Sequence, residues 1–188
     1  NRTTDVDGTS NPSNTTRART EVKYNRTSSS DVYQGREGNR FRYIWEFAID
    51  DNFAPSKGFT YLFQLKYTNA PSSLSSSTLI ALNAKDLSTD KLRLDFQEES
   101  GDPIEQLVTE DLSECVGKRL KAELTLSYSN NARITFKITD LDNPGAGNLM
   151  YFNDRRNTWR SASNVSGQWV RPKWGIYRKT SGESIRTE

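Results

Sequence analysis

The sequence predicts an all-β protein, built as two antiparallel sheets packed face to face in a sandwich of the jelly-roll kind. Three observations carry this reading. Short runs alternating apolar and polar residues recur along the whole chain. Clusters of turn-forming residues separate them at intervals of roughly 8 to 15 residues. No stretch of about 12 residues or more shows a convincing helical period. With 188 residues the chain can bury a core as one unit, so residues 1–188 are read as a single domain.

Residues 1–16 are Asn, Thr, Ser and Asp with almost nothing apolar, which predicts a loose arm or loop. From Arg17 to Tyr24 alternation sets Arg17, Arg19, Glu21 and Lys23 on one face and Ala18, Thr20, Val22 and Tyr24 on the other. Phe41 to Asp50 places Phe41, Tyr43, Trp45, Phe47 and Ile49 on a core face. Pro55 to Gly58 reads as a turn, and Tyr61 to Tyr67 follows with Tyr61, Phe63, Leu65 and Tyr67 set against Leu62, Gln64 and Lys66. After a Ser-rich loop at Pro71 to Ser77, Leu79–Ala84 and Lys91–Gln97 form a further pair. Arg119–Tyr128 and Arg133–Thr139 make a hairpin about Ser129, Asn130 and Asn131. Asp140 to Ser166 is predicted to be a long loop. The last strand, Val170 to Arg178, places Lys173, Gly175 and Tyr177 on one face and Trp174, Ile176 and Arg178 on the other. Gly175 admits two readings there: a bare patch that lets a ligand approach, or a bulge where backbones pack closely.

Composition excludes several chemistries. The chain has no histidine, which removes Ser-His-Asp and Cys-His nucleophile systems and His-ligated metal sites. Cys115 is the single cysteine, so no intrachain disulfide forms, and it reads as a small buried hydrophobe. A net charge of +2 gives no global field for polyanions, so a basic site must be a local concentration of Lys and Arg. Sequons at Asn1, Asn14, Asn25 and Asn164, with no apolar run long enough to span a membrane, predict a secreted, extracellular glycoprotein that does not engage membranes. The abrupt polar start predicts a processed chain whose leader has been removed.

Three strands carry unusual polar faces: Arg17, Arg19, Glu21 and Lys23; Gln64 and Lys66; Lys173 and Tyr177. As neighbours in one sheet they would form a cationic trough with an amide and a phenol at its floor, suited to a linear polyanion. Arg19-Thr20-Glu21-Val22-Lys23, Gln64-Leu65-Lys66 and Lys173-Trp174-Gly175-Ile176-Tyr177 resemble, in the same order, the three motifs of jelly-roll polysaccharide lyases. The alginate lyases write them Arg-Ser/Thr-Glu-x-Arg, Gln-x-His and Lys-x-Gly-x-Tyr. The run from Arg171 to Arg178 is more similar to fungal glucuronan lyases and their heparin-lyase-like relatives. The resemblance implies that Tyr177 is catalytic acid and base, that Gln64 and Arg19 hold the substrate carboxylate, and that Glu21 orients its neighbours. It also implies that Lys173 lines the groove, and the trough reading adds Arg17, Glu21, Lys23 and Lys66 as substrate-binding residues. Lys66 stands where the alginate enzymes have histidine, which argues against a His mechanism here.

Stereochemistry sharpens the expectation. A lyase removes the C5 proton of a uronate and expels the C4 oxygen. In β-glucuronate and β-mannuronate these lie on one face of the ring, so a single residue can serve both; in guluronate they lie on opposite faces. One central tyrosine without histidine therefore suits an acidic β-1,4-linked glucuronate or mannuronate polymer. An ordinary tyrosine is only about 0.1% ionised at pH 7, so cations from Lys173, Lys66 and Arg19 are expected to favour the phenolate. No cofactor is required. A structural calcium ion held by Asp, Glu and carbonyl oxygens is admitted by such sandwiches, although no Asp-rich loop of defined spacing names its ligands. The expected partner is an acidic polysaccharide, not a nucleic acid, and the chain is expected to be a monomer. Two alternatives stay open. A glycoside hydrolase needs paired carboxylates, and Glu46 and Asp50 lie about 13 Å apart along their strand. A non-catalytic carbohydrate-binding module or lectin would use Trp159, Trp169 and Trp174 as stacking platforms.

Overall fold

The computed structural model describes residues 17–23, 33–68, 78–160 and 167–180. The expected arm at 1–16, the Ser-rich loop and all four sequon asparagines lie outside them. In chain order the strands are β1 (Arg17–Lys23), β2 (Arg40–Ala48), β3 (Thr60–Thr68), β4 (Thr78–Lys85), β5 (Lys91–Phe96), β6 (Glu105–Asp111), β7 (Arg119–Ser127), β8 (Ala132–Asp140), β9 (Asn148–Arg156) and β10 (Trp169–Lys179). They form two antiparallel sheets, one ordered β1-β10-β3-β4-β5-β6 and the other β2-β7-β8-β9. The fold is the expected two-sheet jelly-roll sandwich.

The core lies between the sheets. Phe63, Leu65, Leu82, Leu92 and Leu94 come from the six-stranded sheet, and Tyr43, Leu124, Leu126, Ile134, Phe136 and Ile138 from the four-stranded one. Trp45 stacks on Phe63 with ring centroids 4.4 Å apart. Tyr43 and Tyr128 share a buried hydroxyl–hydroxyl bond of 2.8 Å, so their phenols add no unsatisfied polar group to the core. Cys115 is buried there as expected, and burial pushes its thiol up to about 11.

The pairs anticipated from alternation are present: β4 with β5, and β7 with β8 about a turn in which Asn131 takes φ 55°. Two strands were not anticipated. β6 was not recognised, and β9 falls inside the stretch read as a loop from Asp140 to Ser166. Each is the outer strand of its sheet, so each is paired on one side and carries a partly exposed, polar sequence, Glu-Gln-Leu-Val-Thr-Glu-Asp and Asn-Leu-Met-Tyr-Phe-Asn-Asp-Arg-Arg. Arg156 of β9 pairs with Glu105 of β6 at 2.6 Å, joining the two sheets along that edge.

A second correction concerns β3. Simple alternation put Tyr61 with the core residues and Leu62 opposite. The β3–β4 register slips between Tyr61 and Phe63, and a β-bulge of this kind turns Leu62 toward the core and Tyr61 onto the polar face.

Candidate active site

β10 lies between β1 and β3, so the three polar faces singled out above are neighbours in one sheet. Register brings Arg19 opposite Tyr177, Lys23 opposite Lys173, and Lys173 opposite Gln64. Gly175 resolves in favour of the bulge. Its φ is +116°, the β10–β3 register shifts between Trp174 and Tyr177, and a Cβ there would sit 2.2 Å from the Thr20 carbonyl oxygen. The space beside Gly175 is taken by the β1 backbone.

On this face opens a groove of about 260 Å³ whose walls include Arg17, Tyr61, Gln64, Lys66, Asp95 and Tyr177. Tyr177 is mostly buried but lies outside the core cluster. Arg17 Nη1 donates to its hydroxyl oxygen at 2.8 Å, and the Arg19 guanidinium lies over its ring, 4.1 Å from the centroid. Phe59 meets the same ring edge-on at 5.0 Å, and Tyr61 lies 6.2 Å away. The phenol is thus fixed by aromatic packing on one side and by two guanidinium groups on the other.

Beside the groove is a buried polar cluster centred on Glu21. Gln64 Nε2 donates to Glu21 Oε1, and Thr78 Oγ1 donates to Gln64 Oε1 at 3.2 Å. Glu21 Oε2 lies 2.9 Å from Arg19 Nε and 3.6 Å from Lys173 Nζ. The Glu21 and Lys173 side chains are only 2% and 3% exposed. Burial pushes the Lys173 ammonium down to about 8; Arg19, Lys66 and Arg171 add repulsion, and Glu21 opposes them. The structure therefore separates the expected site residues. Arg17, Gln64, Lys66 and Tyr177 line the groove, whereas Arg19, Glu21 and Lys173 form the support beneath it. Lys173 was expected to line the groove and instead is an internal counter-ion of Glu21. Lys23 is exposed at the end of β1 and does not reach the groove wall.

Three participants were missed. Tyr61 was hidden by the bulge. Arg171, paired in register with Lys66, carries a guanidinium held below its ordinary range first by burial and then by Arg19. The alternation that selected Lys173 and Tyr177 places it on the same face. Asp95 is part of the groove wall, gripped by Arg93 Nη2 at 2.8 and 2.9 Å and by Asn83 Nδ2 at 2.7 Å. Burial, followed by the charge of Asp95 and then Tyr177, pushes the Tyr61 phenol up to about 12. Tyr61 is accordingly a proton-bearing hydroxyl at neutral pH, a hydrogen-bond donor and not a base.

The arrangement bears on the alternatives. Among the described residues Asp95 is the one carboxylate in the groove wall, and it is already committed to Arg93. Glu46 and Asp50 border a different, apolar cleft, away from the groove. Trp159 and Trp169 are buried, and Trp174, 5.7 Å from the Phe63 ring, faces the apolar cleft, so none of the three lines the groove. Among the described residues no three Asp, Glu or Cys side chains gather to hold a metal ion, and no helix is long and apolar enough to cross a membrane.

No family model matches the chain. No curated protein matches it either. Solved structures similar in fold include an alginate lyase from Pseudomonas aeruginosa, 14% identical, with a TM-score of 0.41 over 78% of this chain and 56% of that one. A family 7 alginate lyase, A1-II′, in a doubly substituted form with bound substrate is 17% identical, with a TM-score of 0.44 over 93% of this chain and 75% of that one. A second variant of A1-II′ is 16% identical, with a TM-score of 0.42 over 86% of this chain and 71% of that one. The chain spans little more than half the length of the first.

Proposed function

We propose that the protein is a secreted polysaccharide lyase that cleaves an acidic β-1,4-linked uronate polymer, glucuronan-like, by β-elimination. The observation that carries this is a phenol in the wall of a cationic groove, its hydroxyl held by Arg17 and its ring by Arg19, beside the amide of Gln64. In this reading the uronate carboxylate lies against Gln64, Lys66 and Arg17. Glu21 takes one amide hydrogen of Gln64, and the other is assigned to the substrate carboxylate. Neutralising that carboxylate makes the C5 proton more acidic, and groups fixed in advance do so without reorganising during the reaction.

Tyr177, as phenolate, takes the C5 proton. The electrons of the C5–H bond form the C4=C5 double bond, the C4–O bond breaks, and the departing oxygen takes the proton back from Tyr177. Both transfers occur on one face of the ring, which matches glucuronate and mannuronate. Arg17 and Arg19 are the cations placed to stabilise the phenolate. Arg19, Glu21 and Lys173 act as positioning residues, and no step assigned here uses a cofactor. Among the described residues no tryptophan and no carboxylate pair lines the groove, which disfavours a lectin or hydrolase reading of that groove.

Incubation with β-1,4-polyglucuronate should generate the ultraviolet band of an unsaturated uronate, more slowly with polymannuronate and not with polyguluronate. Tyr177→Phe should keep the fold and lower kcat by about 10⁴-fold or more, since one general acid–base group is typically worth about 10² to 10⁴ and here it serves twice. Retention of a tenth of the turnover by Tyr177→Phe would remove the phenol as proton carrier and make Lys66 the residue to test.

A further inference from the structure

The outer face of the four-stranded sheet, on the opposite side of the sandwich from the groove, carries a second concentration of positive charge. Register aligns Arg42, Thr125, Thr135 and Asn153 in one row across β2, β7, β8 and β9. At the end of the same face Arg40 stands opposite Ser127, and Arg133 directly opposite Arg155. With Ser129, Asn130 and Asn131 of the β7–β8 turn they border a shallow depression of about 510 Å³.

Charge is handled differently in two parts of this face. Further along, Glu123 gathers Arg42, Lys121 and Lys137, and its carboxyl is pushed down to about 2, first by the bond from Arg42. Around the depression no carboxylate is among the lining residues. Among the described residues none forms an ion pair with Arg40, Arg133 or Arg155. Asp154, whose carboxyl feels Arg133, is bonded to Arg156 instead. Arg133 donates to Asn153 Oδ1 and Arg155 to the Asn131 carbonyl, each at 2.8 Å, so both guanidinium groups are oriented but not neutralised. Like charges directly opposed on adjacent strands are destabilising, and an anion seated between them reverses the sign.

We propose that this surface is a second, non-catalytic binding site for the carboxylates of an acidic polysaccharide chain. Guanidinium groups supply bidentate contacts to carboxylates, while Ser127, Ser129, Asn130, Asn131, Thr125 and Thr135 supply hydroxyls and amides for the sugar hydroxyls. No aromatic ring is among the lining residues to stack a nucleobase, and no large apolar side chain to enter a bilayer. The ligand class is the one proposed for the groove, but binding here uses no groove residue and is measured without cleavage, so the two readings fail separately.

The test is affinity electrophoresis of the full chain in polyglucuronate gels, with Tyr177→Phe as the non-cleaving parent. Adding Arg40→Ala, Arg133→Ala and Arg155→Ala should weaken retention about tenfold or more at low salt, and the difference should shrink as salt rises. Glu123→Gln, which frees three cations, should strengthen retention and serves if the triple variant fails to fold. In the active chain the triple substitution should leave cleavage of a short oligouronate unchanged and raise KM for the polymer. Retention by the folded triple variant within about twofold of the parent, or no gain from Glu123→Gln, overturns the proposal. Duplex DNA displacing polyglucuronate at equal charge concentration overturns the glycan assignment. Loss of retention in the triple variant of a chain that cleaves no polyuronate leaves this site standing and removes the lyase reading.

Discussion

Gly175→Ala is the substitution whose consequence the structure defines most sharply. An alanine would have to adopt φ near +116°, a conformation open chiefly to glycine, at about 1–3 kcal/mol. Its methyl would lie 2.2 Å from the Thr20 oxygen and 3.0 Å from the Glu21 Cα, both backbone atoms that cannot swing aside. Overpacking of that kind adds about 1–3 kcal/mol, giving a total of about 2–6. β1 is the outer strand of its sheet and pairs with β10 alone among the described strands, so the least costly relief is for β1 to lift away. Hydrogen exchange should then show the amides bonded between β1 and β10 losing protection by about 30-fold or more, with β4 and β5 unchanged. Because β1 carries Arg17, Arg19 and Glu21, the proposed lyase activity should fall with the closed fraction while the melting temperature moves little. Unchanged protection in β1 would refute the steric argument. A uniform loss across the sheet would show that the bulge supports the whole sandwich.

The remaining expectations concern the groove and its support. Tyr61→Phe removes a proton-bearing hydroxyl but no proton carrier, so kcat/KM on polyuronate should drop by about 10- to 100-fold, well short of the Tyr177→Phe loss. Gln64→Ala should lower kcat more than it changes KM, since the amide acts on charge that grows in the transition state; an effect on KM alone would make it a ground-state contact. For Lys173, the folded value of about 8 lies below the unfolded value near 10.5. Below pH 8 both states are protonated and the full penalty of a buried ammonium is present. Between pH 8 and 10.5 the unfolded state binds more protons, so stability rises with pH. Denaturant titrations should show wild type gaining about 3 kcal/mol on Lys173→Gln across that window, and a flat difference would mean that the ammonium keeps its ordinary affinity for protons.

How much of this was legible in the sequence follows from where a strand lies. β2, β7 and β8 are packed on one face and open on the other, so alternation at Phe41, Tyr43, Trp45 and Phe47, or at Leu124, Leu126, Ile134 and Phe136, reports burial directly. β6 and β9 stand at sheet edges, where one-sided pairing relaxes the apolar requirement, and their sequences give little signal. The bulges at Leu62 and Gly175 escaped for another reason. A period of two carries no information about a register slip, which depends on the partner strand; Gly175 suggested one, whereas Leu62 gives no local mark.

The slip at Leu62 has chemical consequences. Without it, Gln64 and Tyr61, three positions apart, would face opposite sides of β3, and the groove would have Gln64 and Lys66 but a leucine in place of a phenol. With it, a second hydroxyl stands 6.2 Å, ring to ring, from Tyr177 and next to Asp95. In a chain without histidine the groove then holds two tyrosines in unlike surroundings. Tyr177 is bracketed by guanidinium groups, whereas the Tyr61 phenol is driven to about 12 by burial and a neighbouring carboxylate. In the proposed elimination, guanidinium groups beside one phenol and a carboxylate beside the other would divide the roles of base and donor between chemically identical side chains.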